Sequence, residues 1–175
     1  MNKRERIKTI FLYGVFICYI LLLIKILLLS RISHLEHRSI NLIPFYSIMQ
    51  YISGSTANLK KFAFSNLVGN IVIFIPLGVY LPLLKKDKRV ITNLLFIFIV
   101  SLFVEIIQGV LGMGASDIDD IILNCLGGWA GILGYKFLLL LLRDEKKVRT
   151  TITILSAIVG LPVLLYLLFM VRLRL

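Results

Sequence analysis

Four carboxylates crowd one stretch of an otherwise apolar chain: Glu105, Asp117, Asp119 and Asp120, within VEIIQGVLGMGASDIDDIILNCLGG (residues 104–128). They are four of only nine acidic residues in 175. Carboxylates so grouped can cap a helix, line a polar binding site, or work as an acid and a base. Capping accounts for part of the set. Ser116 or Asp117 makes a good N-cap, and acids in a first helical turn complement the helix dipole.

Capping does not explain the rest. Ser101, Glu105 and Gln108 fall at i, i+4 and i+7, on one face of a helix. At about 100° per residue, Asp117, Asp120, Asn124, Gly127, Gly128 and Gly131 share a face of the next helix, and Asp119 is expected to point away. Asn66 and Asn70 stand at similar depth on the preceding apolar run. Gly127 and Gly131 form a Gly-x-x-x-Gly pair, which permits close helix contact. The expectation is one outward-opening polar site built from Glu105, Gln108, Asp117, Asp120 and Asn124 with Asn70. Arg38 and Asn41, in the segment Arg38–Phe45, are secondary candidates.

The elements that position these residues follow from composition. The chain is 59% hydrophobic with a mean hydropathy of +0.95, and only 17% of it is charged, against about 25% for a soluble domain. A water-facing surface cannot be covered with so few polar groups, so a bilayer is the natural solvent. Five apolar runs, roughly 8–29, 67–84, 90–109, 119–142 and 150–171, are long enough to span it. The reading is an all-α integral membrane protein, a single domain over residues 1–175. The first run is longer than a signal-peptide core and lacks a cleavage site, so an uncleaved anchor is expected.

Lys and Arg number 20 against 9 acids, a net charge of +11. The basic residues cluster between apolar runs and no basic helix with interleaved aromatics appears, so the excess reads as membrane flanks and not as a nucleic-acid surface. A cytoplasmic N-terminus puts Lys3, Arg4, Arg6, Lys8, Lys85, Lys86, Lys88, Arg89, Arg143, Lys146, Lys147 and Arg149 inside. Arg31, Arg38, Lys60, Lys61, Arg172 and Arg174 then lie outside, twelve against six. The positive-inside rule favours that orientation. Lys25 and Lys136 are read as snorkelling near span ends.

Residues 30–65 form the one long connection, read as an outer-surface strand-like piece followed by a short interfacial helix. Pro44 biases Ile43 toward an extended backbone. His34 and His37 have a spacing that fits a shared metal, but no third ligand is near, and solvated loop histidines are the default. No metal and no cofactor is assigned. Cys18 and Cys125, each inside an apolar run, are expected to be buried thiols and not a disulfide. Pro76 is read as a kink and Trp129 as packing. No Ser-His pair, His-rich array or phosphate-gripping Gly-Lys motif is present.

The elements RSINLIPF (38–45), NIVIFIPLG (70–78), EIIQ (105–108), GASDIDDIILNCLGGWAG (114–131) and the basic tail VRLRL (171–175) together resemble the VanZ family, in order along almost the whole chain. Many members carry an Arg between Glu-x-x-Gln and the aspartates. This chain has Gly114-Ala115-Ser116 there, and the resistance branch likewise lacks that Arg. The resemblance implies a bacterial cytoplasmic-membrane protein that lowers susceptibility to teicoplanin-type glycopeptides without rebuilding the terminus of the peptidoglycan precursor. Its partners would be the bilayer and either the glycopeptide or a lipid-linked cell-wall precursor. Two classes stand open: a binding or shielding factor, and a membrane enzyme using Glu105 and Asp120 as acid and base.

Overall fold

The structure is a computed structural model and describes residues 3–28, 40–41, 43–53, 57–85, 88–111 and 116–172. Helices α1 (Lys3–Leu27), α2 (Tyr46–Ser53), α3 (Ala57–Leu84), α4 (Val90–Leu111), α5 (Ile118–Leu142), α6 (Glu145–Leu155) and α7 (Leu161–Arg172) make up most of it, with a π-helical turn, Ser156–Gly160, joining the last two. Two short strands, β1 (Ile40–Asn41) and β2 (Ser116–Asp117), pair in parallel. Five stretches are long and apolar enough to cross a membrane: Glu5–Leu27, Phe64–Leu84, Val90–Leu111, Ile118–Leu142 and Glu145–Tyr166. At about 1.5 Å per residue, about twenty residues reach across roughly 30 Å of hydrocarbon.

Helix α4 shows why the solvent must be lipid. Its buried stripe is Asn93, Ile97, Ser101, Glu105 and Gln108, polar at four of five positions. Its outward residues include Phe98, Ile99, Phe103, Ile106 and Val110, all exposed. In water this polarity is inside out. In a bilayer it is what the energetics demand, because polar side chains cost least when they face protein. The chain is a multi-pass membrane protein.

Two compact units make up the chain, Ile32–Lys136 and Met1–Arg31 with Phe137–Leu175. In the first, α3 and α5 approach backbone to backbone. A Cβ built on Gly127 would lie 2.0 Å from the Ile71 carbonyl oxygen, and one on Gly131 would lie 2.1 Å from that of Ile75. Gly78 faces the Gly128 carbonyl at 2.0 Å in the same way. Contacts rise together along both helices, so α3 and α5 run parallel and α4 returns between them in sequence. Helix α3 carries Pro76 and Pro82 in its interior yet continues over 28 residues. It begins at Ala57, well before the apolar run expected from residue 67. The extra turns carry Lys60 and Lys61, both exposed. The strand-like piece and short helix expected between 30 and 65 are β1 and α2. His34, His37 and Arg38 lie outside the described residues.

In the second unit α1 packs along α6, the π turn and α7. Lys8 Nζ donates to Thr150 Oγ1 at 2.9 Å, joining residues equally far along α1 and α6, so the two helices start at one end and run parallel. Leu12, Val15, Tyr19 and Leu22 of α1 and Val148, Ile152 and Leu164 are buried. Asp144 caps α6 by accepting the Lys146 N–H at 2.8 Å. Arg143 takes the left-handed conformation, φ 49°, just past the end of α5, where a helix commonly closes. Cys18 corrects an expectation: it is an exposed thiol on α1, and Cys125 is only partly covered. A thiol behaves as a small apolar group, so a lipid-facing position hides it from water as well as a core would.

Candidate functional site

The site grows from the Asn41–Phe45 turn. Strand β1 lies beside β2 with Asn41 opposite Asp117. The Asn41 side chain works in both directions: its Oδ1 accepts the Ile43 N–H at 3.1 Å, and its Nδ2 donates to Asp117 Oδ1 at 3.2 Å. The first bond is an Asx turn, which Asn favours because its amide mimics a peptide. Pro44 follows, then Phe45 at φ 67°, and the Tyr46 N–H returns to the Ile43 carbonyl at 3.3 Å. A positive φ after Pro is the place where glycine is preferred. Phe45 is held there by a bond from its N–H to Asp119 Oδ1 at 2.5 Å.

Asp117 joins three elements. Its Oδ1 also accepts the Asp119 N–H at 3.0 Å, the geometry of an N-cap for α5. Its own backbone N–H donates to Glu105 Oε2 on α4 at 3.0 Å. One turn further along α5, Asp120 Oδ1 accepts Asn70 Nδ2 of α3 at 2.5 Å. Deeper still, Asn124 Nδ2 donates to Ser101 Oγ at 2.8 Å. Each of these donors to a carboxylate is a neutral N–H group, and the Asp117 and Asp119 N–H groups among them lie at the start of α5. Glu105, Gln108, Asp119, Asp120 and Asn124 are nearly or fully buried, and Asn70 is buried at 6% exposure. Asp117 is half-buried.

Two expectations change. Asp119 does not point away. It is 1% exposed, because the Ile43–Phe45 turn covers the face of α5 that a helical projection assigns to solvent or lipid. Asn66 is exposed and stands off the site, whereas Asn70, one turn on, enters it. Trp129 is 45% exposed and lines an apolar groove of about 300 Å³ with Leu94, Ile122, Cys125 and Leu126. Glu105 and Gln108 both lie on the buried stripe of α4. Sequence reasoning missed the Phe45 N–H and the buried Asn93. Asn93 lies eight residues before Ser101, on the same stripe, and that spacing was a usable signal. Among the described residues no group of three or more His, Cys, Asp or Glu side chains is arranged to hold a metal ion.

The residues of this network fall within one family pattern, VanZ/LLP1, which matches residues 16–142. The chain belongs to the VanZ/LLP1 family. Over 100 residues it is 34% identical to Protein VanZ of Enterococcus faecium, an alignment covering 57% of this chain and 54% of the relative. The chain thus matches about half the length of that curated VanZ relative. No solved structure matches it.

Proposed function

We propose that this VanZ/LLP1 protein resides in the bacterial cytoplasmic membrane and lowers susceptibility to teicoplanin-type glycopeptides. It does so by binding at the outer surface, so that the drug reaches its lipid-linked target less readily. The observation that carries the reading is the placement of the whole polar network, from Asn41 to Asn124, inside the segment on which family membership rests. The similarity to Protein VanZ supports it. With the N-terminus in the cytoplasm, the start of α5 and the Ile43–Phe45 turn bonded to it lie on the outer side, where a glycopeptide or a cell-wall precursor can meet them.

The test is expression of this chain alone in a susceptible Gram-positive host. Resistance to teicoplanin should rise more than resistance to vancomycin, and the muropeptide stems should keep their terminal D-Ala. Replacement of that residue would place the resistance on another route. A membrane enzyme remains the second reading, favoured by one observation: Glu105 and Asp120 are both buried carboxylates in one network. A new lipid or muropeptide product in expressing cells would transfer support to it.

A further inference from the structure

Helix α5 has a second side that the polar network does not use. At about 100° per residue, Asp120 and Asn124 share one side of the helix. Ile122, Cys125, Leu126 and Trp129, at i, i+3, i+4 and i+7, share the opposite side. With Leu94 of α4 they line the groove of about 300 Å³. The groove has a plain cause in the sequence. Cys125 is the smallest residue of this stripe and stands between Ile122 and Trp129, so the helix surface dips where its neighbours are large. Leu94 walls the dip from the α4 side.

The setting decides what fills it. Both α4 and α5 are among the stretches long and apolar enough to cross the membrane. At about 1.5 Å per residue, Ile122 to Trp129 lie about 6–17 Å along α5 from Ile118. That is the depth of the chains in one leaflet, since half of the hydrocarbon is about 15 Å thick. Leu126 and Trp129 are each 45% exposed, so the groove opens sideways into hydrocarbon. Trp129 is no interfacial anchor, because aromatic belts sit at headgroup level and Trp129 stands near the middle of the 25-residue helix. Groove walls without a neighbour forfeit dispersion contacts, and a chain lying along the stripe restores them. Toward the start of α5, three residues before Ile122, comes Asp119, which accepts the Phe45 N–H. The groove therefore begins about one helical turn from the residue that fastens the Ile43–Phe45 turn.

We propose that this groove is a lipid site, holding one hydrocarbon chain of a glycerophospholipid from the leaflet that contains the start of α5. The polar end of that lipid then lies at the level of the Ile43–Phe45 turn. The site uses the side of α5 opposite Asp120 and Asn124, and it does not depend on the resistance reading.

Trp129 is the only tryptophan of the chain and reports on the groove directly. The full chain in excess maltoside detergent is titrated with phosphatidylglycerol brominated midway along its chains, and quenching of the tryptophan emission is followed. Quenching should saturate at a single lipid per chain and be reversed by unbrominated lipid of the same chain length. Brominated phosphatidylcholine should act alike, because the groove reads the chain. Cys125→Leu, which fills the dip, should weaken the apparent affinity several-fold. Leu126→Ala, which widens the groove, should keep the saturable quenching and shows that a change in this stripe does not by itself abolish it. Ile106→Ala, at an exposed position of α4 outside the groove, should leave the affinity unchanged. Quenching that rises in proportion to lipid content without saturating is the behaviour of unselected surrounding lipid and would sink the proposal. So would unaltered affinity in Cys125→Leu, or an equal loss in Ile106→Ala. Saturation with phosphatidylglycerol alone would mean that a headgroup is recognised and would overturn the assignment to a chain.

Discussion

Asp119 and Phe45, 74 residues apart, meet through the Phe45 N–H and the Asp119 carboxylate. The bond fastens a turn whose Phe45 sits at φ 67°, a conformation that costs a bulky residue on the order of 1–3 kcal/mol. The Asp119 carboxylate in the first turn of α5 therefore joins the Asn41–Asp117 bond in keeping the Asn41–Phe45 segment over the site.

That pairing gives a prediction with two opposed variants. Asp119→Ala should lower the melting temperature of the detergent-solubilised protein, with a loss of about 1–3 kcal/mol for a hydrogen bond to a charged group. Phe45→Gly keeps the N–H and removes the steric cost of positive φ. Its melting temperature should stay level or rise. A fall as large as that of Asp119→Ala would mean that the Phe45 side chain, although 54% exposed, holds the turn.

The α3–α5 contact predicts a contrast among glycines. Gly131→Ala forces a Cβ to within 2.1 Å of the Ile75 carbonyl oxygen, and overpacking of this kind costs about 1–3 kcal/mol or more. Gly134→Ala, on the same helix, meets nothing within 4 Å and should be neutral or stabilising, by up to about 1 kcal/mol of helix propensity. Thermal unfolding of the two variants side by side decides it. Equal effects would show that the close approach of the helices does not contribute to stability.

Charge asymmetry predicts the topology. A reporter active only outside the cytoplasm should be active after Ser55 or Leu175 and silent after Asp87 or Glu145. Activity after Asp87 would turn the acidic end of α4 and α5 inward and remove the basis for surface shielding.

The polar network predicts a phenotype. Glu105→Gln, Asp120→Asn and Asn124→Ala should abolish teicoplanin resistance while membrane levels stay near wild type, since each keeps a small polar or apolar shape. Asp119→Asn should now impair resistance comparably, because Asp119 is part of the cover over the site. Retention of resistance in all four, at equal protein levels, would leave the acids with a capping role alone.

Much of this site is legible in the sequence because its logic is local. Glu105 and Gln108 share a helical stripe by spacing, and Asp117, Asp120 and Asn124 do the same on α5. Asp119 was misplaced because its environment comes from the Phe45 N–H, far away in the chain, and no periodicity reports that. The early start of α3 escaped because Lys60 and Lys61 dilute the apolar pattern while the helix continues. The start of α6 was legible in Asp144, a good capping residue, but the apolar run begins later and drew the boundary to residue 150. The π-helical turn at Ser156–Gly160 leaves no mark in composition.

The β1–β2 bridge fixes a timetable for biogenesis. Asn41 and Asp117 are 76 positions apart, so at roughly 5–20 residues per second the ribosome needs about 4–15 s to supply the partner of Asn41 after making it. Throughout that delay the Ile43–Phe45 turn has neither Asp117 nor Asp119 to hold it, although α3 and α4 have by then been translated. The cover of the polar site is consequently among the last parts of this unit to form, after its surrounding helices have been delivered to the membrane.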